Sequence, residues 1–424
     1  MPTKEYRPYS PDQLLLLPPS LREWLPEGHL AYLISDPVDT FDLTAIEAVY
    51  EDELRGGPPY HPAMMVKVLL YAYTQGVYAS RRIARRLHED VAFRVLAAGN
   101  APDFRTLSDF RKRHLDALKA LFPQVLALAQ KAGLVQLGQV ALDGTKIRAN
   151  ASKHKAMSYG RMGQEEARLA AEVDAMLQRA EEADAADDAR YGPERRGDEL
   201  PEGLRRREER LRRIREAKAA LEAEARERAA AKQAERSPGG RRRRPPASPP
   251  ATPRPQDQYN FTDPDSRIMK MADGAFAQAY TAPVVDGPHQ IIVGADVTAV
   301  AADAPHLPGM VEATERHVGR RKRLTADAGY HSEENCRLLQ AAGIDALIPP
   351  DKLKHTDRLP RAPRGRIPHD LSMRQRMRRK RQTRVGWAVY RMHKAIAEPV
   401  LGQIKGARGF QLFLLRGLRK VRAE

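Results

Sequence analysis

Residues 160 to 255 differ in composition from the sequence on either side, and this difference constrains the fold more than any other feature. The stretches EEARLAAEVDAMLQRAEEADAADDARYG and RLRRIREAKAALEAEARERAAAKQAER are rich in Ala, Glu and Arg and nearly free of aromatic residues, which predicts a helical hairpin or a coiled-coil arm. The low-complexity stretch SPGGRRRRPPASPPATPRPQ follows, and we expect it to be disordered. We therefore interpret 160–255 as an insertion within a domain and not as a core.

Strand-like sequence borders this insertion on both sides. Before it, LGQVALDGTKIRANAS predicts a strand, a turn or bulge at Asp143-Gly144, and further strand. After it, two strand-like runs meet at Asp286-Gly287-Pro288, which is a hairpin signal. Helices and strands then alternate up to a helix around Glu398. The order β-β-β-α-β-α-β-α predicts an α/β domain made of residues 136–159 and 256–424.

Residues 1–135 predict a compact, all-helical domain. The stretch HPAMMVKVLLYAYTQGVYASRRIARRLHEDVAFRVLA has apolar residues at helical spacing, with Gly76 as the break between two helices. In the next helical stretch, Ser108 is the expected N-cap and Gly133 the expected stop. Two basic faces, SRRIARR and FRKRH, either contact DNA phosphates or are simply solvated, and the sequence leaves both interpretations open.

Several classes of protein are excluded by composition. No run approaches the roughly eighteen apolar residues of a membrane span, and the N-terminal MPTKEYRPYSPDQ has no apolar signal region. The single cysteine, Cys336, rules out an intramolecular disulfide framework and a zinc site built from cysteines. We therefore expect a cytoplasmic protein without a membrane partner.

Positive charge is concentrated at one end of the chain. The formal net charge is +17, and residues 351–424 contain 21 Lys and Arg against 5 Asp and Glu. Such a localised basic surface favours a polyanionic partner, most often nucleic acid. A solvated basic tail or binding to acidic lipid is the alternative. Within 371–423, Glu398 is the one carboxylate among fifteen Lys and Arg residues.

Three acids occupy comparable positions in this pattern. Asp143 is expected to close the first strand, Asp327 to close the fourth, and Glu398 to lie on the last helix. Acids at adjacent strand ends can face one point, and three converging carboxylates repel unless a cation such as Mg²⁺ or Mn²⁺ neutralises them. Taken singly, each acid has another interpretation: Asp143 as a turn residue, Asp327 as a helix cap, and Glu398 as an ion-pair partner of Lys394.

The helical periodicity around Glu398 places possible phosphate ligands beside it. Tyr390, Lys394, Glu398, Leu401 and Lys405 fall within an arc of roughly 80° on an ideal helix, so the two lysines would flank the carboxylate. The proline at position 399 predicts either a kink or the first turn of a second helical segment.

Two further residues near these acids have open roles. His331 follows Asp327 closely and either approaches the metals or DNA or is a turn residue. Asp296 ends the third strand and is either a supporting acid or, as the better interpretation, a turn residue.

Several blocks together resemble the DDE transposases of bacterial insertion sequences. They are LDGTKIRANAS, NFTDPDSRIMK, HQIIVGADVT, LTADAGYHSEEN and YRMHKAIAEPVLGQIKGARGFQLFLLRG, and RPYSPDQLLLLPPSLREWLPEGHLAYLI and DFRTLSDFRKRH resemble the helical domain that precedes the catalytic core in that family. The resemblance implies a ribonuclease-H-like α/β core, a mixed sheet flanked by helices, that is preceded by the helical domain and interrupted by the insertion.

The resemblance also implies a catalytic and metal-binding triad of Asp143, Asp327 and Glu398 that holds two Mg²⁺ ions, with Mn²⁺ as a possible substitute. The family has a tyrosine eight residues before the glutamate and a lysine seven residues after it, and Tyr390 and Lys405 match. His393 stands where the family often has another basic residue, while Ala397 and Leu401 replace a usual valine and phenylalanine.

The expected function is cleavage of DNA at the terminal inverted repeats of an element, followed by transfer of the 3′-hydroxyl into target DNA. DNA-binding residues would be Tyr390, Arg391, Lys394, Lys405 and Arg408. We expect a homodimer in the synaptic complex, with the charged arm contributing, and a nucleoid-associated location. The alternatives are a nuclease without strand transfer and an inactive or C-terminally truncated DNA-binding remnant.

Overall fold

A computed structural model of the chain describes residues 20–51, 57–135, 138–191, 202–234, 252–352, 365–368 and 370–424. Most of the stretch predicted to be disordered, SPGGRRRRPPASPPATPRPQ, lies outside the described residues. Its predicted disorder therefore stays a prediction.

The N-terminal region is helical, as predicted. Its helices are α1 (Leu30–Val38), α2 (Thr44–Glu51), α3 (Pro62–Thr74), α4 (Ser80–Glu89), α5 (Val91–Leu96), α6 (Phe104–Arg113) and α7 (Leu115–Lys131). They share an apolar core to which α3 contributes Met65, Val68 and Leu69, among others. Gly76 separates α3 from α4, and Gly133 follows the end of α7, both with positive φ.

The start of α6 differs from the prediction. Asp103 is its N-cap, and the Asp103 carboxylate accepts a hydrogen bond from the Thr106 backbone N–H at 2.7 Å. Ser108 lies inside the helix and not at its start. An acid at the N-cap satisfies a free backbone N–H group and interacts well with the helix dipole, which explains why the helix begins earlier.

The rest of the chain forms a mixed sheet with helices on both faces. The strands of this region are β1 (Gln139–Arg148), β2 (Ala156–Ser158), β3 (Gln258–Asn260), β4 (Arg267–Lys270), β5 (Phe276–Asp286), β6 (Ile292–Ala295), β7 (Arg323–Ala326) and β8 (Asp345–Leu347). Of these, β2 and β3 pair with each other in a separate, antiparallel two-stranded sheet. The later helices are α8 (Tyr159–Tyr191), α9 (Glu202–Ala234), α10 (Leu307–Val318), α11 (Glu333–Ala341), α12 (Met373–Gln382), α13 (Arg384–Gly402) and α14 (Leu418–Val421).

The strands of the main sheet are ordered β4-β5-β1-β7-β8, and β6 also pairs with β5. β5 and β6 form the antiparallel hairpin that the sequence predicts at Asp286-Gly287-Pro288. β1 pairs antiparallel with β5 and parallel with β7, while β7 pairs parallel with β8. β4 is a short strand that was not predicted from the sequence. β1 is therefore a central strand that joins the antiparallel and the parallel half of the sheet.

The side chains of β1 point alternately to the two faces of the sheet. Val140 and Leu142 join the core formed with α7, α10 and α11. Ala141, between them, packs against Ile396 and Ala397 of α13 on the opposite face. Since side chains two residues apart point to the same face of a strand, Asp143 faces the α13 layer together with Ala141.

Helices α8 and α9 form a charged hairpin between β2 and β3. Met162 and Leu169 of α8 pack with Ile214 and Leu221 of α9 in a small apolar core. Ion pairs join the two helices, including Glu166 with Arg215 at 3.1 Å and with Lys218 at 3.0 Å. The predicted hairpin is thus formed by its own apolar seam and by pairing between opposite charges.

The C-terminal helix α13 is continuous through Pro399 from Arg384 to Gly402. It passes directly into a π-helical turn, Gln403–Ala407. No second helical segment begins at Pro399, so that part of the expectation is wrong. No helix among the described residues combines the length and the apolar character needed to span a membrane.

Candidate active site at the β1 and β7 carboxylates

The register of the parallel pair β1 and β7 brings two of the three predicted acids side by side. Leu142 is opposite Ala326, so Asp143 and Asp327 come next at the same level of two adjacent strands. Asp143 is two residues beyond Ala141, which packs against α13. Asp327 is two residues beyond Thr325, the residue opposite Ala141 on β7. The two carboxyl groups therefore approach the same space, on the face of the sheet that α13 covers.

Asp143 lies in the middle of β1 and not at its end, because the strand continues to Arg148 and Asp143 pairs with Val284 of β5. The turn interpretation is therefore wrong. Its Oδ1 accepts a hydrogen bond from the Gly144 backbone N–H at 2.7 Å. Burial raises the pKa of the Asp143 carboxyl, and the charge of Asp327 raises it further, against the lowering effect of that hydrogen bond.

Asp327 directly follows β7 and precedes a 3₁₀ turn, Ala328–Tyr330, but its side chain does not cap that turn. Instead, Asp327 Oδ1 lies 3.5 Å from Nε2 of His393 on α13. A hydrogen bond from His393 is the main reason why the pKa of Asp327 is lowered, and electrostatic interactions with His393, Lys352 and Lys394 add to the effect. The site thus keeps Asp327 ionised.

His393 and Tyr390 are the α13 side chains that interact with Asp327. His393 is 3% exposed, and its ring stacks on the Tyr390 ring with centroids 5.9 Å apart. Burial raises the pKa of Tyr390 to about 12, and the charge of Asp327 and a hydrogen bond with it also contribute. His393 is therefore placed to orient Asp327 from inside the protein, a role that the sequence did not reveal.

Glu398 lies on the same helix but in a different environment. Its side chain is 65% exposed, and Oε1 is 3.7 Å from Nζ of Lys394, the ion pair that the alternative interpretation predicts. Within the described residues, no three His, Cys, Asp or Glu side chains are arranged to hold a metal ion. The structure therefore brings Asp143 and Asp327 together and leaves Glu398 outside a three-residue cluster.

The residues predicted to bind DNA follow α13 and the turn after it. Arg391 and Lys394 are exposed on α13, and Arg408 is exposed after the π-helical turn. Lys405 lies within that turn, where partial burial lowers the pKa of its ammonium group. The Tyr78 hydroxyl of the N-terminal region donates a hydrogen bond to the Arg408 carbonyl at 3.0 Å, which joins the helical region to this basic segment.

Three polar side chains near the pair were missed by sequence reasoning. Asp303 and Tyr330 lie beside Gly144, and Asp286 is buried on β5 opposite Ala141 with neither carboxyl oxygen hydrogen-bonded among the described residues. Asp286 and Gly287 signalled the hairpin, but nothing in the sequence marks Asp303 or Tyr330 as neighbours of Asp143.

The two residues with open roles lie apart from this pair. His331 Nε2 is buried, and the charges that act on its imidazole come from Arg374, Asp351 and Glu333. Asp296 Oδ1 forms an ion pair with Arg422 at 3.0 Å. Asp296 is therefore the partner of a surface arginine.

The donor set at the pair fits a divalent cation. Asp143 and Asp327 offer carboxylate oxygens, the ligands that Mg²⁺ and Mn²⁺ prefer. Their mutual repulsion contributes to the raised pKa of Asp143, and a bound cation would relieve that repulsion.

Two segments of the chain match known protein families. Residues 19–113 match the family described as Transposase domain (DUF772), and residues 261–424 match Transposase DDE domain. Both matches are consistent with a DDE transposase of insertion sequences. Neither a curated protein nor a solved structure matches it.

The match to the DDE domain, together with the observed mixed sheet and helical N-terminal region, confirms the predicted ribonuclease-H-like fold. The transposase family acts on DNA, its DDE members cleave and join phosphodiesters, and they generally use divalent metal ions. The DDE match includes Asp327 and Glu398 but begins after Asp143. The assignment of Asp143 in this transposase therefore rests on its place beside Asp327 in the sheet.

Proposed function

We propose that this transposase cleaves DNA at the ends of its insertion sequence and transfers the freed 3′-hydroxyl into target DNA. A water molecule would attack the phosphodiester in line, and the resulting hydroxyl would attack the target strand without a covalent protein intermediate. The observation that carries the proposal is the parallel register that sets Asp143 next to Asp327, in a chain of the DDE family.

The catalytic carboxylates in this proposal are Asp143, Asp327 and Glu398. Asp143 and Asp327 would hold divalent metal, two Mg²⁺ ions or Mn²⁺ in their place, with Glu398 completing the set. When bound, the metal supplies activation of the attacking oxygen and stabilisation of the leaving oxygen. His393 and Tyr390 would keep the Asp327 carboxylate ionised and oriented.

Glu398 must turn inward for this role. In the protein without DNA it is exposed and paired with Lys394 alone among its described neighbours. An exposed ion pair of this kind is worth at most about 1 kcal/mol, so little opposes a change of rotamer. We propose that a DNA phosphate takes over Lys394 and that Glu398 then joins Asp143 and Asp327.

DNA would be held along α13 and the turn that follows it. Arg391, Lys394, Lys405 and Arg408 would contact phosphates, and Tyr390 would face the scissile region from beside Asp327. The helical region within 1–135 would bind the terminal inverted repeats. With chromosomal DNA as its substrate, the transposase would associate with the nucleoid.

Synapsis of two element ends requires two active sites, so we propose a homodimer in the DNA complex. The hairpin of α8 and α9 is a candidate for contact between the two copies, because it is an insertion in the domain made of residues 136–159 and 256–424. Deletion of 160–255 should then weaken assembly on end DNA; unchanged assembly would remove the hairpin from this role.

The deciding experiment incubates the full chain with DNA that carries the repeats flanking its gene, Mg²⁺ and a target plasmid. Strand-transfer products are expected from the wild type and from Asp296→Asn, a surface control, and are expected to be absent from Asp143→Asn. Nicked DNA without joined product would favour the nuclease alternative. Binding without any cleavage would favour the inactive remnant.

A further inference from the structure

The connection between α3 and α4 packs against the backbone that follows α13. The Tyr78 hydroxyl donates a hydrogen bond to the Arg408 carbonyl at 3.0 Å, and the Tyr78 ring meets the Phe410 ring with centroids 5.0 Å apart. A Cβ added to Gly76 would lie only 2.7 Å from the same Arg408 carbonyl oxygen. Such a close approach is possible because position 76 has no side chain, so the packing requires glycine there as well as the positive φ does.

The α3–α4 connection is itself held by a buried arginine. Arg111, in the last turn of α6, is 7% exposed. Its guanidinium donates hydrogen bonds to the Tyr78 carbonyl at 2.9 Å and to the Ser80 hydroxyl at 2.5 Å. Ser80 is the first residue of α4. The beginning of α4 therefore has a fixed position relative to the contact with Arg408.

The other side of the contact is held by the sheet. Shortly after Arg408, the chain pairs with the end of β1, where the Phe413 N–H donates a hydrogen bond to the Arg148 carbonyl at 2.9 Å. The π-helical turn is thus attached to α13 before it and to β1 after it. The contact at Tyr78 consequently connects the helical region to the strand that carries Asp143.

Unpaired positive charge lies on both sides of this contact. Arg82, in the first turn of α4, and Arg408 are exposed, and neither forms a salt bridge within the described part of the chain. Arg85, about one turn further along α4, is instead paired with Glu89 at 2.7 Å. A DNA duplex presents a phosphate about every 3.4 Å along each strand. One duplex can therefore meet free arginines from both regions of the chain.

We propose that the α3–α4 connection is a positioning element for DNA binding. It holds the first turn of α4 and the π-helical turn with Arg408 as one phosphate-binding surface, so that one duplex contacts Arg82 and Arg408 of the same chain. The inference rests on the proposed function for its DNA partner. It goes beyond that function because there the helical region and α13 bind DNA separately. Gly76 and Tyr78 act through Arg408 and are positioning residues.

The test measures binding of the full chain to a duplex that carries the repeat flanking its gene, at several salt concentrations and without Mg²⁺. Gly76→Ala places a methyl group against the Arg408 carbonyl, and Tyr78→Phe removes the hydrogen bond but keeps the ring. Gly133→Ala is the matched control: its φ is +70° against +69° for Gly76, and no other part of the described chain lies within 4 Å of its added Cβ. It introduces the same backbone strain without the contact.

We expect Gly76→Ala to displace Lys405 and Arg408 from phosphate. Each lost contact should lower the affinity about tenfold near 0.1 M salt and reduce the salt slope by about one unit. Tyr78→Phe should act in the same direction by a smaller amount. Gly133→Ala should keep the affinity and slope of the wild type, although both glycine variants lower the thermal unfolding midpoint.

Two further comparisons separate positioning from a general loss of structure. Arg408→Gln should weaken binding by the otherwise unchanged chain but add nothing to Gly76→Ala, because the two changes remove the same contact. Arg82→Gln should reduce the salt slope by about one unit, and Arg85→Gln by less, because Glu89 already neutralises Arg85.

The possible results also separate this inference from the proposed function. Wild-type binding by Gly76→Ala and Tyr78→Phe overturns the positioning role, as does an equal loss of binding in Gly133→Ala. If Gly76→Ala does not fold, Tyr78→Phe decides. Equal effects of Arg82→Gln and Arg85→Gln overturn the shared surface. If the wild type binds the duplex but does not cleave it when Mg²⁺ is added, the proposed function fails and the binding data still decide the inference. If the wild type does not bind the duplex, both fail.

Discussion

Asp143 and Asp327 lie on neighbouring strands of one sheet, whereas Glu398 lies on the helix that covers it. Hydrogen bonds between β1 and β7 fix the relative position of the two aspartates. No comparable constraint acts on Glu398 among the residues that the structure describes, where its exposed side chain forms one ion pair, with Lys394. The comparison teaches that backbone pairing in the sheet fixes the positions of the two aspartates before DNA binds. The direction of the Glu398 carboxylate on the helix depends instead on its side-chain rotamer.

The same difference is found in the surroundings of the three acids. Asp327 is held by the buried His393 and the half-buried Tyr390. Glu398 is paired with an exposed lysine, Lys394, and a DNA phosphate can displace Glu398 from that lysine. Substitutions around the aspartates should therefore change the properties of the protein even without DNA. Substitutions around Glu398 should change its properties only when DNA is present.

The largest effect is expected for the acids themselves. Asp327→Asn and Glu398→Gln should each slow end cleavage by about 10⁴-fold, as does loss of a central catalytic group. Only Asp327→Asn should also weaken Mn²⁺ binding without DNA, because Glu398 is then directed outward. Single-turnover cleavage and Mn²⁺ titration measure the two quantities, with Glu333→Gln on α11 as control. Full cleavage by Glu398→Gln would remove it from the catalytic set.

The next effect concerns Asp286, which is buried on β5 on the face that α13 covers. Burial, with a contribution from the charge of Asp143, raises the pKa of Asp286 to about 8. The folded state therefore keeps a proton that the unfolded state loses above its ordinary pKa, so this carboxyl lowers stability as pH rises toward 8. Asp286→Asn should therefore stabilise the protein by an amount that increases as the pH rises, reaching on the order of a few kcal/mol near the folded-state pKa of Asp286.

Denaturant unfolding of both proteins at several pH values from 5 to 8.5 measures this difference. Asp296→Asn, which removes a surface carboxylate that pairs with Arg422, is the control for loss of an acid in general. A stability difference for Asp286→Asn that stays constant with pH would contradict the prediction.

A smaller effect is expected from the residues that hold Asp327. Tyr390→Phe removes a hydroxyl that interacts with Asp327 while keeping the ring that stacks on His393. Loss of such a supporting hydrogen bond should lower metal affinity about tenfold, seen as a higher Mg²⁺ requirement for cleavage with a nearly unchanged maximal rate. Tyr32→Phe on α1 is the control. A fall in the maximal rate at saturating Mg²⁺ would instead point to direct contact with the reacting DNA.

The smallest effect should come from Lys394. Lys394→Gln should reduce the salt dependence of DNA binding by about one unit of slope and change the free energy of unfolding by less than about 1 kcal/mol. Lys322→Gln, at the other end of β7, is the control. Binding isotherms at several salt concentrations measure the slope. A slope identical to that of the wild type would show that Lys394 does not contact phosphate.

The sequence alone predicted the alternation of the main strands and helices, although not the short strand β4, and it predicted the helical N-terminal region and the β5–β6 hairpin. It also indicated Asp143, Asp327 and Glu398 as the candidate acids. These signals are local: alternation, turn residues and charge pattern act over a few residues. The tertiary structure decided that Asp143 lies within a continuous strand, that His393 faces inward to Asp327, and that Glu398 faces solvent. It also placed Asp303 against Gly144 and Gly329. These relations join residues far apart in the chain, and strand register and helix packing set them, so no local pattern could reveal them.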